Sequence, residues 1–226
     1  CSRTWIAQGE GRRLSPPRPR PPGFRNALVQ NIAAGNTILL NPAGAALVRA
    51  AAAEARAFVV HDWWTYQIVT GAGGRVVHDD APTLIYRQHA ANQIGANDGW
   101  RARIRRLWQV ADGTFRGWNA VNLAALDASA HRLTPEARAV LAEFRALHSA
   151  RGGLRRLRIL ARARLYRQSA GAQLALWLAA ALGWLAGPGL ARPGPGSCAR
   201  LAKAQSTILQ KRAHRDLAKM PAMCSN

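Results

Sequence analysis

Acidic side chains are scarce in this sequence: 11 Asp and Glu stand against 32 Lys and Arg, a formal net charge of +21. Lysine is scarce too, appearing only at Lys203, Lys211 and Lys219, so arginine carries nearly all of the excess. An imbalance of this size points to nucleic acid, an anionic membrane surface or phosphorylated substrates. The abundance of Ala, Arg and Gly is equally what biased codon usage would produce, and that needs no partner. Cysteine is limited to Cys1, Cys198 and Cys224, with no C-x-x-C spacing. This argues against a disulfide framework and a structural zinc site, and fits a reducing, cytoplasmic setting. No charged n-region precedes an apolar stretch, so no signal peptide is visible, and a chain opening on Cys1 reads as a fragment. No apolar run reaches the ~20 residues that span a bilayer.

What is present divides the chain into four parts. Residues 1–24 carry Pro16, Pro17, Pro19, Pro21 and Pro22 interleaved with Arg, which predicts an extended, semi-rigid connector. Residues 25–97 alternate short apolar runs with helical patterns. Ile38-Leu39-Leu40, Phe58-Val59-Val60, residues 75–78 and residues 83–86 read as strands. Between them lie a helix opened by Asn41-Pro42 and another from about Trp63 to Thr70, closed by Gly71, Gly73 and Gly74. That succession predicts an α/β layer. Residues 98–187 read as a basic helical extension, with helices near 99–112, 117–131, 135–149, 153–166 and 169–186. Residues 188–226 turn to Gly-Pro punctuation and a polar tail, expected to be poorly ordered.

Three spots could carry chemistry. Asp62 follows an apolar run and precedes a helix, where an Asp is commonly an N-cap. The same place, the carboxyl end of a strand in an open α/β sheet, also suits a general base. Gly35-Asn36-Thr37 reads as a turn, or as a loop whose backbone approaches a ligand. His89 follows the strand at 83–86 and is either an ordinary surface residue or a metal ligand.

Order and spacing give these residues a resemblance. Asn31-Ile32-Ala33-Ala34-Gly35-Asn36-Thr37, His61-Asp62-Trp63-Trp64, Gly71-Ala72-Gly73-Gly74 and Tyr86-Arg87-Gln88-His89 with Asn92 resemble glycosyltransferase family 2, of GT-A fold. The likeness is greatest to its bacterial rhamnosyltransferase-like members. It continues more loosely through Phe115-Arg116-Gly117-Trp118-Asn119 and Leu165-Tyr166-Arg167-Gln168, over about residues 25–180.

The resemblance implies an inverting transfer of sugar from a nucleotide-sugar to a glycan or lipid-linked acceptor, as in surface polysaccharide synthesis. Asp62 would be the catalytic base, and Gly35, Asn36 and Thr37 the sugar-facing loop. Trp63 and Trp64 would wall the acceptor site, with one of them belonging to the core. His89 would help hold a divalent metal, Mg or Mn. The chain departs from the family pattern in two places. His61 stands where an acid precedes the base, and no Asp-x-Asp occurs anywhere, Asp79-Asp80 being adjacent. The nucleotide-binding half is thus expected to be missing, the metal to bind only with that half, and the chain alone to be silent.

Two other readings come from the basic helices. Arg101, Arg103, Arg105 and Arg106, and the Arg residues between 151 and 167, could neutralise phosphates, but no nucleic-acid motif accompanies them, so no nucleic acid is expected. Residues 174–185, nearly all apolar with Trp177 and Trp184, follow the second Arg run, which suits peripheral membrane contact through 153–187 as well as it suits a core helix.

Overall fold

The computed structural model describes residues 1–8, 11–87 and 113–186. Within them a small three-stranded sheet stands beside a larger helical body. The strands are β1 (Ser2–Gln8), β2 (Gly11–Leu14) and β3 (Asp79–Arg87), in the order β2-β1-β3. β2 pairs with β1 antiparallel, and β3 pairs with β1 parallel. β1 alternates strictly: Ser2, Thr4 and Ile6 are buried, while Trp5 is exposed. The β1–β3 register slips on both sides of Arg3, the partner of Pro82. Proline cannot donate to the ladder, so an irregular pairing at that point is expected.

The N-terminal connector predicted from the prolines is therefore two strands followed by a connector. Residues 15–23 are irregular, and even these are fastened. The Arg20 amide donates to Gln168 Oε1 at 3.0 Å, and Gln168 Nε2 donates back to the Arg20 carbonyl at 3.1 Å.

Seven helices follow among the described residues: α1 (Phe24–Ala27), α2 (Pro42–Glu54), α3 (His61–Gly71), α4 (Thr114–Ala128), α5 (Pro135–Ser149), α6 (Gly153–Ala163) and α7 (Ala170–Leu182). Their limits follow local chemistry. Asn41 caps α2 by accepting from the Gly44 amide at 2.7 Å, with Pro42 at the first helical position. Thr134 and Pro135 do the same for α5, the cap accepting from the Ala137 amide at 3.1 Å. Ser169 caps α7, which ends on Gly183 in the left-handed region. One hydrophobic core runs through these helices, with Trp64, Ile68, Leu126, Phe144, Leu147 and Leu160 among its largest members.

Three of the four predicted strands between residues 38 and 86 are not strands. Ile38-Leu39-Leu40 joins no ladder, although Ile38 is extended, and Leu39 is 91% exposed. Phe58 stacks on Trp64 with centroids 4.8 Å apart, and the Val59 amide donates to Asn122 Oδ1 at 3.1 Å. That triplet plugs a helical surface instead of joining a ladder. Residues 75–78 are irregular, and only the last prediction matches an observed strand, β3. The result is mixed α/β, but the observed sheet is built mainly from the N-terminal residues and not from the predicted succession. The helix predicted at 99–112, residue His89 and the tail 188–226 lie outside the described residues.

Candidate functional site

Helix α3 brings the site together. It begins at His61, one residue before Asp62, because Val60 is still extended (φ −140°, ψ 131°). Asp62 therefore lies inside the first turn and is not the N-cap. The helix is held in place by its buried face. Trp63 Nε1 donates to the Ala27 carbonyl at 2.7 Å, Gln67 Nε2 donates to the same oxygen at 3.2 Å, and Tyr66 packs beneath Ala27 and Ile32. The Tyr66 hydroxyl, bonded to Asn26 Oδ1 at 3.0 Å and to Gly23, has its pKa pushed up by burial.

That anchoring presents the Asp62 carboxylate to the loop at residues 31–37. Asp62 Oδ1 accepts from Asn31 Nδ2 at 3.0 Å and from the Trp63 amide at 2.6 Å. Asp62 Oδ2 accepts from the Gly35 amide at 3.1 Å. Asn31 also closes its own turn, its Oδ1 accepting from the Ala33 amide at 3.0 Å. A carboxylate offers about four lone-pair positions. Three are filled by these donors, which leaves one on Oδ2 for a further proton donor. The first turn of a helix also has unpaired N–H groups, an environment that favours negative charge.

The backbone at Gly35 lies close against the start of α3. A Cβ there would fall 2.8 Å from His61 Nε2 and 3.4 Å from Asp62 Cβ. Loop and helix start are thus in contact through one glycine, one asparagine and one carboxylate.

The predicted site residues separate into three groups. Gly35 and Asp62 are bonded to each other. Asn36 is exposed beside them, whereas Thr37 donates its hydroxyl to the Ala34 carbonyl at 2.9 Å and closes the one-turn 3-10 helix Gly35–Thr37. Trp63 and Trp64 are only 4% and 1% exposed. Trp63 stacks on Phe115 with centroids 5.9 Å apart, and Trp64 packs on Phe58, so both rings belong to the core and neither walls an open site. His89 lies outside the described residues. Among the described residues no three His, Cys, Asp or Glu side chains come together as a metal site.

Two neighbours of Asp62 carry roles that sequence reasoning did not assign. Asn31 orients the carboxylate, and His61 covers Gly35. Asn31 opened the quoted motif, but its partner 31 residues away could not be read from spacing alone. A separate cleft of about 290 Å³ lies at the other end of α3, lined by Gly23, Phe24, Thr70, Thr134 and Tyr166. Two turns of helix separate Thr70 from Asp62, so this cleft is not continuous with the carboxylate.

Comparison with known proteins gives one partial likeness. A segment of 57 residues, 25% of this chain, is 37% identical to the dTDP-rhamnosyl transferase RfbG of Shigella flexneri. The matched segment spans 20% of that protein's length. No family model matches the chain, and no solved structure matches it. The partial likeness supports a relationship to glycosyltransferases.

Proposed function

We propose that this chain is the acceptor-side part of an inverting family 2 glycosyltransferase of GT-A fold, rhamnosyltransferase-like. It would take a sugar from a nucleotide-sugar such as dTDP-rhamnose and pass it to a hydroxyl of a glycan or lipid-linked acceptor. The observation that carries this reading is the Asp62 carboxylate, fixed by Asn31 and Gly35 with one acceptor position left over. The partial likeness to a rhamnosyltransferase supplies the reaction class.

In this reading the acceptor hydroxyl donates its proton to Asp62 Oδ2 as its oxygen attacks the anomeric carbon. The bond to the nucleoside diphosphate breaks on the opposite side, and the configuration inverts. Asn31 and Gly35 hold the carboxylate still, so little reorganisation is needed when the hydroxyl arrives. Family 2 chemistry also calls for a divalent cation, Mg or Mn, on the leaving diphosphate. The described residues bring together no set that could hold it, and the 226 residues contain no Asp-x-Asp. In this reading the chain contributes the base, its positioning loop and His89 as one ligand to the cation, and the other ligands and the nucleotide pocket come from a nucleotide-binding half.

The direct test is to incubate the 226-residue chain with dTDP-rhamnose, Mg²⁺ and a lipid-linked glycan acceptor, then repeat with the product of the complete open reading frame. Transfer by the complete product alone is expected. Transfer by the 226 residues on their own would refute the division of labour.

A further inference from the structure

The hairpin formed by α6 and α7 has a surface that folding does not explain. Between residues 151 and 186 there are seven arginines and no acidic residue. The two helices run antiparallel: Gly153 abuts the Ala181 carbonyl, and Arg156 Nε donates to the Ala180 carbonyl at 2.6 Å. α7 turns Leu176, Ala179 and Ala180 inward. Its opposite face carries Leu174, Leu178 and Leu182, exposed by 61%, 52% and 60%. Spaced by four, these leucines lie one above another along the helix. Leu154, 74% exposed, starts α6 beside the end of this stripe. Of the eight large apolar side chains exposed among the described residues, four therefore lie on this one hairpin. By contrast α5, of similar length, exposes none.

The arginines have different roles. Arg156 is structural, its guanidinium also donating to the Ala150 and Ala181 carbonyls at 3.2 and 3.1 Å. Arg162 pairs with Glu143 at 2.7 Å. Arg155 and Arg158 are exposed on α6, and Arg151 is exposed just before its start. The hairpin thus combines an apolar stripe with a neighbouring cationic edge, and its own sequence holds no acid to neutralise that edge.

We propose that the α6–α7 hairpin lies flat on an anionic lipid bilayer. Leu154, Leu174, Leu178 and Leu182 enter the boundary between headgroups and acyl chains, and Arg151, Arg155 and Arg158 meet the lipid phosphates. The absence of acids in the hairpin selects an anionic surface, since a neutral one would leave the cationic edge without complement. A flat attitude follows from length. α7 has 13 residues, and among the described residues no helix is long and apolar enough to cross a membrane. Contiguous exposed apolar stripes of this kind are uncommon on surfaces that meet only water. This inference is independent of the proposed sugar transfer, and either can fail alone.

The experiment is co-sedimentation of the full chain with phosphatidylcholine vesicles, with and without phosphatidylglycerol, at low and high salt. Binding to the phosphatidylglycerol vesicles, weakened by salt, is expected. The triple variant L174Q/L178Q/L182Q and the pair R155E/R158E should each lower that binding by roughly ten-fold or more, with unchanged melting temperature. Failure of the full chain to bind anionic vesicles, or binding by the leucine variant equal to that of the parent, would overturn the proposal. So would a large fall in melting temperature in the leucine variant, which would show the chain's own residues covering the stripe. Conversion of an oligomer to a monomer by the leucine substitutions would overturn it in favour of a second copy. Salt-sensitive duplex DNA binding unchanged by those substitutions, without vesicle binding, would overturn it in favour of nucleic acid.

Discussion

The side-chain amide of Asn31 reaches across the start of α3 to Asp62, Nδ2 to Oδ1 at 3.0 Å, while the same residue's Oδ1 holds the Ala33 amide. One asparagine thus fixes both the turn of the loop and the rotamer of the carboxylate. Asn31→Ala should destabilise the fold by about 1.5–3 kcal/mol, the range for a hydrogen bond to a charged group. It should also speed hydrogen exchange at the Gly35 amide, whose acceptor would no longer be held. Unchanged Gly35 exchange in the variant would show that the carboxylate does not depend on Asn31.

Gly35 and His61 should be coupled. A methyl group added at position 35 falls 2.8 Å from His61 Nε2, yet that ring is exposed and able to swing away. Gly35→Ala alone should therefore have a small effect on melting temperature, and His61→Ala should relieve most of it. A double-mutant cycle measures this, with an interaction of about 0.5 kcal/mol or more expected for residues in contact.

The helical body has its own pH dependence. His148 is 1% exposed; its Nδ1–H donates to the Phe144 carbonyl at 2.8 Å, and Nε2 faces Asn119 Nδ2 at 3.2 Å. Burial pushes its pKa below the ordinary 6.5. Below pH 6.5 the unfolded chain then binds a proton that the folded chain resists, so this group lowers stability as pH falls through that value. Melting curves of the parent and His148→Gln, taken above and below pH 6.5, should show a steeper acid loss in the parent. Equal slopes would contradict the assignment.

Much of the helical body was legible in the sequence because its punctuation is strong. Asn41-Pro42 and Thr134-Pro135 mark helix starts through local chemistry, and α5 begins and ends where its signals place it, whereas Gly183 ends α7 inside the helix predicted at 169–186. Of the strands among the described residues only β3 was legible, since an apolar triplet has no partner written beside it. Phe58 found Trp64, not a ladder, and β1 found β3 across more than seventy residues. The arginines of β2 and the following prolines hid a hairpin. At the site, Gly35 and Asp62 were singled out in advance, whereas Asn31 and His61 act through contacts that only the folded chain creates.

Glu54 ties the end of α2 to the turn after α4. It accepts from Arg132 Nε at 2.9 Å and from Ser129 Oγ at 2.6 Å, and these bonds, the arginine's first, draw its pKa down from 4.5 to about 2. A carboxylate so depressed contributes stability above its unfolded value and loses it as pH falls through the folded one. Glu54→Gln should therefore be less stable than the parent at neutral pH. The difference should shrink between pH 4.5 and about 2. A difference that stays constant over that window would show the tie is not ionic.

The most direct measurement is sugar transfer from dTDP-rhamnose by the product of the complete open reading frame, parent against Asp62→Asn. Removing a general base lowers turnover by roughly 10²–10⁴-fold. The account predicts a loss in kcat of that size, with the KM for the nucleotide-sugar little changed. Turnover by the Asp62→Asn variant close to that of the parent would contradict the assignment of Asp62 as the base.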